Sequence, residues 1–420
     1  MGARVLLVGM GAREHAIAWK LRQSRDVDEV FVAPGNAGTA RLATNVDVPP
    51  KDIDGLVRAA AELGIDFYLS TMDDPQPLGL VDRLTERGVL CYGPTAAAAQ
   101  LEASKAFSKA FMVAEGIPTA AARTFERYAE ARAYVESLPE GPLVVKASGL
   151  TAGKGAIVCN DHAEALNALD LVMVRRDFGS AGDTVVVEER LEGWETSAQA
   201  FCDGKTAVLM PFASDYKRAQ DGDRGLNTGG MGAYSPSAGI DQSFVDEVTH
   251  RVVRPVMAGM AARGTPFNGT LFPGLMVTPD GVRVLEFNAR FGDPETQVVM
   301  PRLESDLFAI CRAAAEGRLA EADVRWSPRP AVGVVLASGG YPATYKIGYV
   351  IEGLDAVDPD VLVFHAGTKN DARGVVTNGG RVLTVVATGE TLAEARKRAY
   401  ENVERIRFAD MQYRRDIGVV

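Results

Sequence analysis

Leu143-Val144-Val145-Lys146-Ala147-Ser148-Gly149-Leu150-Thr151-Ala152-Gly153-Lys154-Gly155-Ala156-Ile157-Val158-Cys159 carries the most telling local pattern in the chain. Two short β-forming runs, 143–147 and 156–159, flank a glycine-rich loop, so the segment reads as a hairpin and not as a strand-to-helix turn. It is not a Walker A loop either, because no Ser or Thr follows Lys154. A glycine-rich hairpin can still fold over triphosphate oxygens and shut out water. Lys146, on the strand leading in, can bridge two phosphates as a point charge. A plain hairpin with a solvated lysine is the competing reading.

Upstream, the pattern changes. Apolar Val5-Leu6-Leu7-Val8 predicts a buried strand over 4–9 that stops at glycine, with a helix over 12–24 after it. Strands at 29–33, 67–70 and 89–92 alternate with helices at 53–63 and 78–87. This alternation predicts a parallel sheet covered on both faces. At its first turn, Gly9-Met10-Gly11-Ala12-Arg13-Glu14-His15 offers glycine amides and a helix N-terminus to a phosphate, and Arg13 adds a bidentate donor. It lacks the third glycine of a dinucleotide fingerprint, and a tight structural turn explains it equally well.

Downstream, helices are expected at 104–115, 128–138 and 163–175, with strands at 184–191, 196–202 and 206–210. Residues 214–239 are rich in Asp, Gly and Arg and read as an unusually long loop with a functional or mobile role. A helix at 242–263 precedes strands at 270–278 and 282–287 around the turn Pro279-Asp280-Gly281. Trp326 to Pro330 reads as a linker, followed by strands at 331–337, 361–365 and 382–387 and a helix at 392–406.

In Glu286-Phe287-Asn288-Ala289-Arg290, strand alternation puts Glu286, Asn288 and Arg290 on one face and Phe287 and Ala289 in the core. A carboxylate and an amide oxygen are hard ligands that suit Mg²⁺, which takes its remaining ligands from water and phosphate. Arg290 beside them suits a transferring phosphoryl group. A surface Glu–Arg pair is the alternative. Next, Asp293-Pro294-Glu295 suits a helix start. The strand end Glu188-Glu189 suits either adenine and ribose recognition or plain solvation.

These strings resemble the ATP-grasp ligases, and within them the phosphoribosylamine–glycine ligases. The likeness runs through Ala12 to Ala16, Ala33 to Gly38, Tyr92 to Thr95, Ser104 to Phe107, Asn227 to Pro236, Glu286 to Gln297 and Phe364 to Lys369. It implies an α/β and α+β multidomain ATP-grasp fold. The expected units are an N-terminal parallel α/β domain over 1–102, an ATP-grasp body over 103–120 and 192–326, a mobile lid over 121–191, and a C-terminal α+β domain over 327–420.

The resemblance also implies a reaction: ATP, glycine and 5-phosphoribosylamine give glycinamide ribonucleotide, ADP and phosphate through glycyl phosphate, with Mg²⁺ or Mn²⁺. Carried onto this chain, Lys105, Lys146, Gly149, Gly153, Lys154 and Gly155 are triphosphate contacts, and Glu188, Glu189 and Glu195 are nucleoside contacts. Glu286 and Asn288 are metal ligands. Arg290 and Lys146 are the catalytic pair. Gly11, Arg13, Glu14, Asn36, Asp215, Lys217, Asn227, Gly230, Met231, Asp293, Pro294 and Glu295 bind phosphoribosylamine or glycine. The chain departs from the usual pattern at Asp73-Asp74-Pro75, where Gly-Pro-Glu is common, and at Ser214 to Arg218.

The rest of the composition narrows the class. Of 420 residues, 47% are hydrophobic and 24% charged, an ordinary globular balance. A net charge of −10 offers no basic footprint for nucleic acid. No apolar run is long enough for a membrane span, and the first one is too short for a secretory signal. Cys91, Cys159, Cys202 and Cys311 are widely spaced, as expected for reduced thiols in a cytoplasmic protein. A monomer is expected.

Overall fold

The computed structural model describes residues 2–151 and 153–420; Ala152, inside the expected phosphate loop, lies outside the described residues. The first sheet has five parallel strands in the spatial order Thr44–Asn45, Val27–Pro34, Ala3–Gly9, Phe67–Leu69, Leu90–Tyr92. Its central strand is buried on both faces. Val5 and Leu7 face one core with helix Ala12–Leu21, while Leu6 and Val8 face another with helices Ile53–Glu62 and Leu80–Thr85. A doubly covered parallel strand is apolar throughout, which is why this run was readable.

The quoted hairpin is present: Leu143–Ala147 pairs antiparallel with Ala156–Cys159. It forms part of a four-stranded sheet with Val185–Glu189 and Ala122–Phe125. Helices Tyr128–Ser137 and His162–Leu169 cover that sheet and give it a core of its own. The strand at Ala122–Phe125 was not expected; its polar, half-exposed sequence carries little periodicity.

A second antiparallel sheet is built on the long strand Asn268–Thr278. It pairs with Gly281–Asn288, Trp194–Ser197 and Ala200–Asp203, and Ala207–Leu209 extends it. The single strand expected over 196–202 is therefore two, broken at Ala198-Gln199, which pair with different parts of Asn268–Thr278. The helix expected over 242–263 runs as Gln242–Val248 and Arg254–Ala262 joined by a π turn at Thr249–Val253. Pro255 has no amide hydrogen to donate, which disfavours an unbroken α ladder there.

Half of the expected loop at 214–239 is strand. Arg218–Gln220 and Arg224–Asn227 form a hairpin, and Gly222 and Asp223 turn it with positive φ. Gly232–Ser235 then pairs with Ala331–Ser338 of the C-terminal sheet, which continues through Arg381–Thr388 to Leu362–His365 and is covered by helix Leu392–Val403. The pairing partner lies about a hundred residues downstream, so no local signal announces it.

The first and last sheets are tied together. Asn36 Nδ2 donates to Met10 O at 2.9 Å and to His365 O at 2.8 Å. The His365 amide donates to His15 Nδ1 at 2.8 Å. Burial, then His365 and Arg41, lower the His15 pKa to about 3; burial and Arg41 lower that of His365 to about 4. Above pH 6.5 both rings are neutral in folded and unfolded chains alike. As pH falls from 6.5 towards 4, the unfolded chain takes up protons that the folded one refuses. Stability therefore falls over that window by about 1.4 kcal/mol per pH unit for each ring. The thermal midpoint of wild type should drop from pH 6.5 to 4.5 more steeply than that of His15→Gln; parallel slopes would refute this role for His15.

Candidate functional site

A cleft of about 310 Å³ opens where the glycine-rich hairpin, the long-strand sheet and the first and last sheets meet. Its walls fall into a lysine-rich end and an arginine-rich end.

At the lysine-rich end, Ser104 caps helix Lys105–Ala114 by accepting from the Phe107 amide at 3.2 Å. Lys105 and Lys109, one turn apart, both reach the cleft. Lys109 Nζ is 3.1 Å from Glu188 Oε1, and Lys146 Nζ is 2.9 Å from Glu188 Oε2. Glu188 is thus a shared counter-charge for two lysines. Lys146 also donates to the Leu285 carbonyl at 3.0 Å. A bulge in the Gly281–Asn288 strand presents that carbonyl: Gly274 faces Glu286 while Leu275 faces Val284, which leaves Leu285 extra.

Glu286 follows the bulge. Its carboxylate has no hydrogen bond or ion pair with another side chain among the described residues. Burial works to raise its pKa, but Lys105, Lys146, Lys217 and Arg290 together hold it below the ordinary value, so it is ionised. Asn288 Nδ2 donates to Phe272 O at 3.2 Å and Oδ1 accepts from Arg290 at 3.1 Å, which fixes the amide oxygen. Phe287 and Ala289 are buried in the core as expected from alternation. One carboxylate and one oriented amide oxygen fit a divalent ion that draws most of its ligands from phosphate and water. Among the described residues no cluster of three or more His, Cys, Asp or Glu exists to cage a metal.

Over the cleft, Thr151 Oγ1 accepts from the Gly155 amide at 2.9 Å, and Gly153 turns with φ +77°. Gly149 packs against Ala181, where a Cβ would come within 2.7 Å of its Cα. Lys154 is exposed and has no hydrogen bond or ion pair among the described residues.

At the arginine-rich end, Arg13 donates to Glu14 at 2.7 Å and to Phe291 O at 3.1 Å. Glu14 also accepts from the Gly11 amide at 2.7 Å, so this buried acid is engaged within the turn and steers Arg13 into the cleft. Arg290 lies 3.0 Å from Glu102. Burial pushes the Glu102 pKa up to about 7 despite the guanidinium. Asp293 pairs with Arg381 at 2.9 Å and accepts from Gln297 at 2.7 Å. Gly230, at φ +103°, packs on Pro294, where a Cβ would meet Cδ at 2.3 Å.

Beside the metal-suited strand, Asp215, Lys217, Glu195 and Glu295 form a charge cluster. Burial raises the Asp215 pKa, and burial with Asp215 pushes Glu295 up to about 7. Lys217 pairs with Glu195, and Glu295 accepts from Ser197 Oγ at 3.1 Å. Burial opposes the charge on Lys217, but Asp215 and Glu195 raise its pKa above the usual value.

The cleft therefore brings together Lys105, Lys146, Gly153, Gly155, Glu188, Glu286, Asn288, Arg290, Arg13 and Asp293. Gly149, Lys154, Glu189 and Glu195 stand outside its walls, and Glu189 instead accepts from the Ala121 amide at 2.9 Å. Asn36 ties two sheets, Met231 is core, and Asn227 is exposed on its hairpin. Sequence reasoning missed Lys109, Glu102, Asp73 and Arg381 as cleft residues. Lys109 carried a signal, its place one turn after Lys105; Arg381 carried none.

Comparison with known proteins gives a consistent result. Phosphoribosylglycinamide synthetase domains match in chain order: the N domain over residues 3–102, the ATP-grasp (A) domain over 103–296 and the C domain over 331–420. The phosphoribosylamine–glycine ligase of Rhodopirellula baltica is 46% identical, covering 99% of this chain and 97% of its own length. That of Allochromatium vinosum is 48% identical over 99% and 98%. The crystal structure of the Thermotoga maritima phosphoribosylamine–glycine ligase superposes with a TM-score of 0.84 at 34% identity, covering 98% of this chain and 99% of that one. The biotin carboxylase domain of a Hydrogenobacter thermophilus 2-oxoglutarate carboxylase, solved with magnesium ADP and bicarbonate, matches at 0.73 and 15% identity over 98% and 92%, a likeness of fold alone.

Proposed function

The chain belongs to the phosphoribosylamine–glycine ligase family of ATP-grasp enzymes, and from that premise we propose how its cleft carries out the reaction. The activity is ATP-dependent ligation of glycine to 5-phosphoribosylamine, a step of purine biosynthesis.

A carboxylate does not condense with an amine at neutral pH, so glycine must first be activated. In our reading its carboxylate attacks the γ-phosphate of ATP in line, giving glycyl phosphate and ADP. The amine then forms the C–N bond, the C–O bond to phosphate breaks, and phosphate leaves with the electron pair while the nitrogen loses a proton.

Lys105 and Lys146, with the loop from Gly149 to Gly155, hold the triphosphate, and Lys109 adds a third charge. Glu188, the counter-charge of Lys109 and Lys146, serves the nucleoside end, with Glu189 and Glu195 reaching it from outside the cleft walls. Glu286 and Asn288 hold Mg²⁺ or Mn²⁺, which when bound supplies charge neutralisation and Lewis acidity at the phosphoryl group. Arg290 and Lys146 steady the charge on the transferring oxygens. The lid hairpin keeps water from the acyl phosphate.

Asp215 and Glu295, with Lys217 beside them, receive the glycine ammonium and carboxylate. Gly11 and Arg13 receive the sugar phosphate, and Glu14 and Asn36 act through them. Asn227, Gly230, Met231, Asp293 and Pro294 shape the same wall. The units of this reading are 1–102, the body at 103–120 and 192–326, the lid at 121–191, and 327–420. ATP and a phosphorylated sugar amine are cytosolic substrates, which supports a cytoplasmic location. No described helix is long and apolar enough to cross a membrane.

The observation that carries this reading is the meeting of Glu286, Asn288 and Arg290 with Lys146 and the lid loop in one cleft. Coupled ADP release should require ATP, glycine and freshly made phosphoribosylamine together, and bicarbonate should not replace glycine. Turnover that ignores glycine would overturn it.

A further inference from the structure

Three carboxylates face the arginine-rich end of the cleft, and two are fully engaged. Glu102 lies against Arg290 and accepts from the Ala289 amide at 2.7 Å. Asp293 holds Arg381 and Gln297. Asp73 is different. It lines the cleft, half-buried, yet no hydrogen bond or ion pair joins its carboxylate to another side chain among the described residues.

Its turn is held rigidly. The turn follows strand Phe67–Leu69, at the carboxyl edge of the parallel sheet, where such sheets bind ligands. Thr71 Oγ1 donates to Val8 O at 2.6 Å, and Gln76 Nε2 donates to Tyr68 Oη at 2.9 Å and to Met72 O at 3.2 Å. The Gln76 amide closes the turn on Asp73 O at 3.2 Å. The Asp73 carboxylate is met only by the backbone amides of its own turn, Asp73 and Asp74, and has no side-chain partner among the described residues, so capacity to accept from a ligand remains on the cleft side.

We propose that Asp73 is the specificity residue for the sugar half of the amine substrate, its carboxylate accepting hydrogen bonds from the vicinal ribosyl hydroxyls between Arg13 and Arg290. This rests on the ligase reading above. The anionic groups of the substrates, the 5-phosphate and the glycine carboxylate, are repelled by it. The glycine ammonium has Asp215 and Glu295 in a separate cluster. The ribosyl hydroxyls remain, and acidic side chains are their usual acceptors. Burial works to raise the Asp73 pKa, but Arg290 and Arg13 hold it below the ordinary value, so it binds as an anion and takes no proton from the amine.

The test begins with the wild-type enzyme: ribose 5-phosphate should inhibit at least about ten times more strongly than 2-deoxyribose 5-phosphate, the loss of one hydrogen bond to a charged group. In Asp73→Asn the preference should shrink. In Asp73→Ala the KM for phosphoribosylamine should rise about 10- to 100-fold while KM for glycine and ATP stays within about twofold. Equal inhibition by the two sugars in an active wild-type enzyme overturns the assignment, as does a rise in glycine KM matching that for phosphoribosylamine. Absence of glycine-dependent ADP release in wild type would count instead against the ligase reading.

Discussion

Glu286→Ala is expected to lose glycine-dependent ADP release by about three orders of magnitude or more, the several kcal/mol that a metal contributes at a transferring phosphoryl group. The reason lies in what surrounds this carboxylate. It is ionised, faces the cleft without a side-chain partner, and stands among Lys105, Lys146, Lys217 and Arg290. Once it is gone, Asn288 alone offers a neutral oxygen and four cations lose their shared anion. Among the described residues the Glu286 carboxylate accepts no hydrogen bond that ties it to the core, so the thermal midpoint should hold to within a few degrees. Calorimetry should show ATP binding that no longer depends on added Mg²⁺. Wild-type turnover in this variant would remove Glu286 from the metal site.

The second large effect concerns stability. Glu188→Ala strips the counter-charge from Lys109 and Lys146, whose ammonium groups lie 3.1 and 2.9 Å from its two oxygens and are nearly buried. Removing one partner of a buried pair costs about 3–5 kcal/mol, because the other charge is left unpaired. Burial already lowers the pKa of Lys109, with Glu188 as the largest opposing influence. For a unit the size of the four-stranded hairpin sheet and its two helices, that cost corresponds to a fall of about 10 °C or more in the thermal midpoint. Adding ATP should recover part of the loss, since triphosphate oxygens can replace the carboxylate. An unchanged midpoint would mean that water already solvates both lysines in the free enzyme.

The parts legible in sequence share one property: local pattern and tertiary role agree. Val5 to Val8 is apolar because both faces of its sheet are covered. Leu143 to Cys159 reads as a hairpin because glycine breaks two β-forming runs. Glu286 and Asn288 share a face because strands alternate, whereas Arg290 lies in the bend beyond the strand end and reaches the cleft from there. The illegible parts depend on distant partners. Glu188 was read as a nucleoside contact, and nothing near it in sequence announces Lys109 or Lys146. Gly232–Ser235 looked like loop because its pairing partner begins at Ala331. Asp73 was visible only as an oddity of pattern; its environment of Arg13 and Arg290 required the fold.

That pairing of Gly232–Ser235 with Ala331–Ser338 also governs how the chain can be divided. The stretch from Trp326 to Pro330 looks like a natural seam, yet two strands of the terminal sheet, Ser214–Asp215 and Gly232–Ser235, are contributed from about a hundred residues before it. A fragment ending at the seam would carry an orphaned β edge, and the remaining piece would present the complementary gap, both inviting aggregation. Cleavage at the seam in the intact molecule would leave the two pieces zipped together. The last quarter of the chain therefore behaves less as an appended module than as the completion of a sheet begun within the catalytic body.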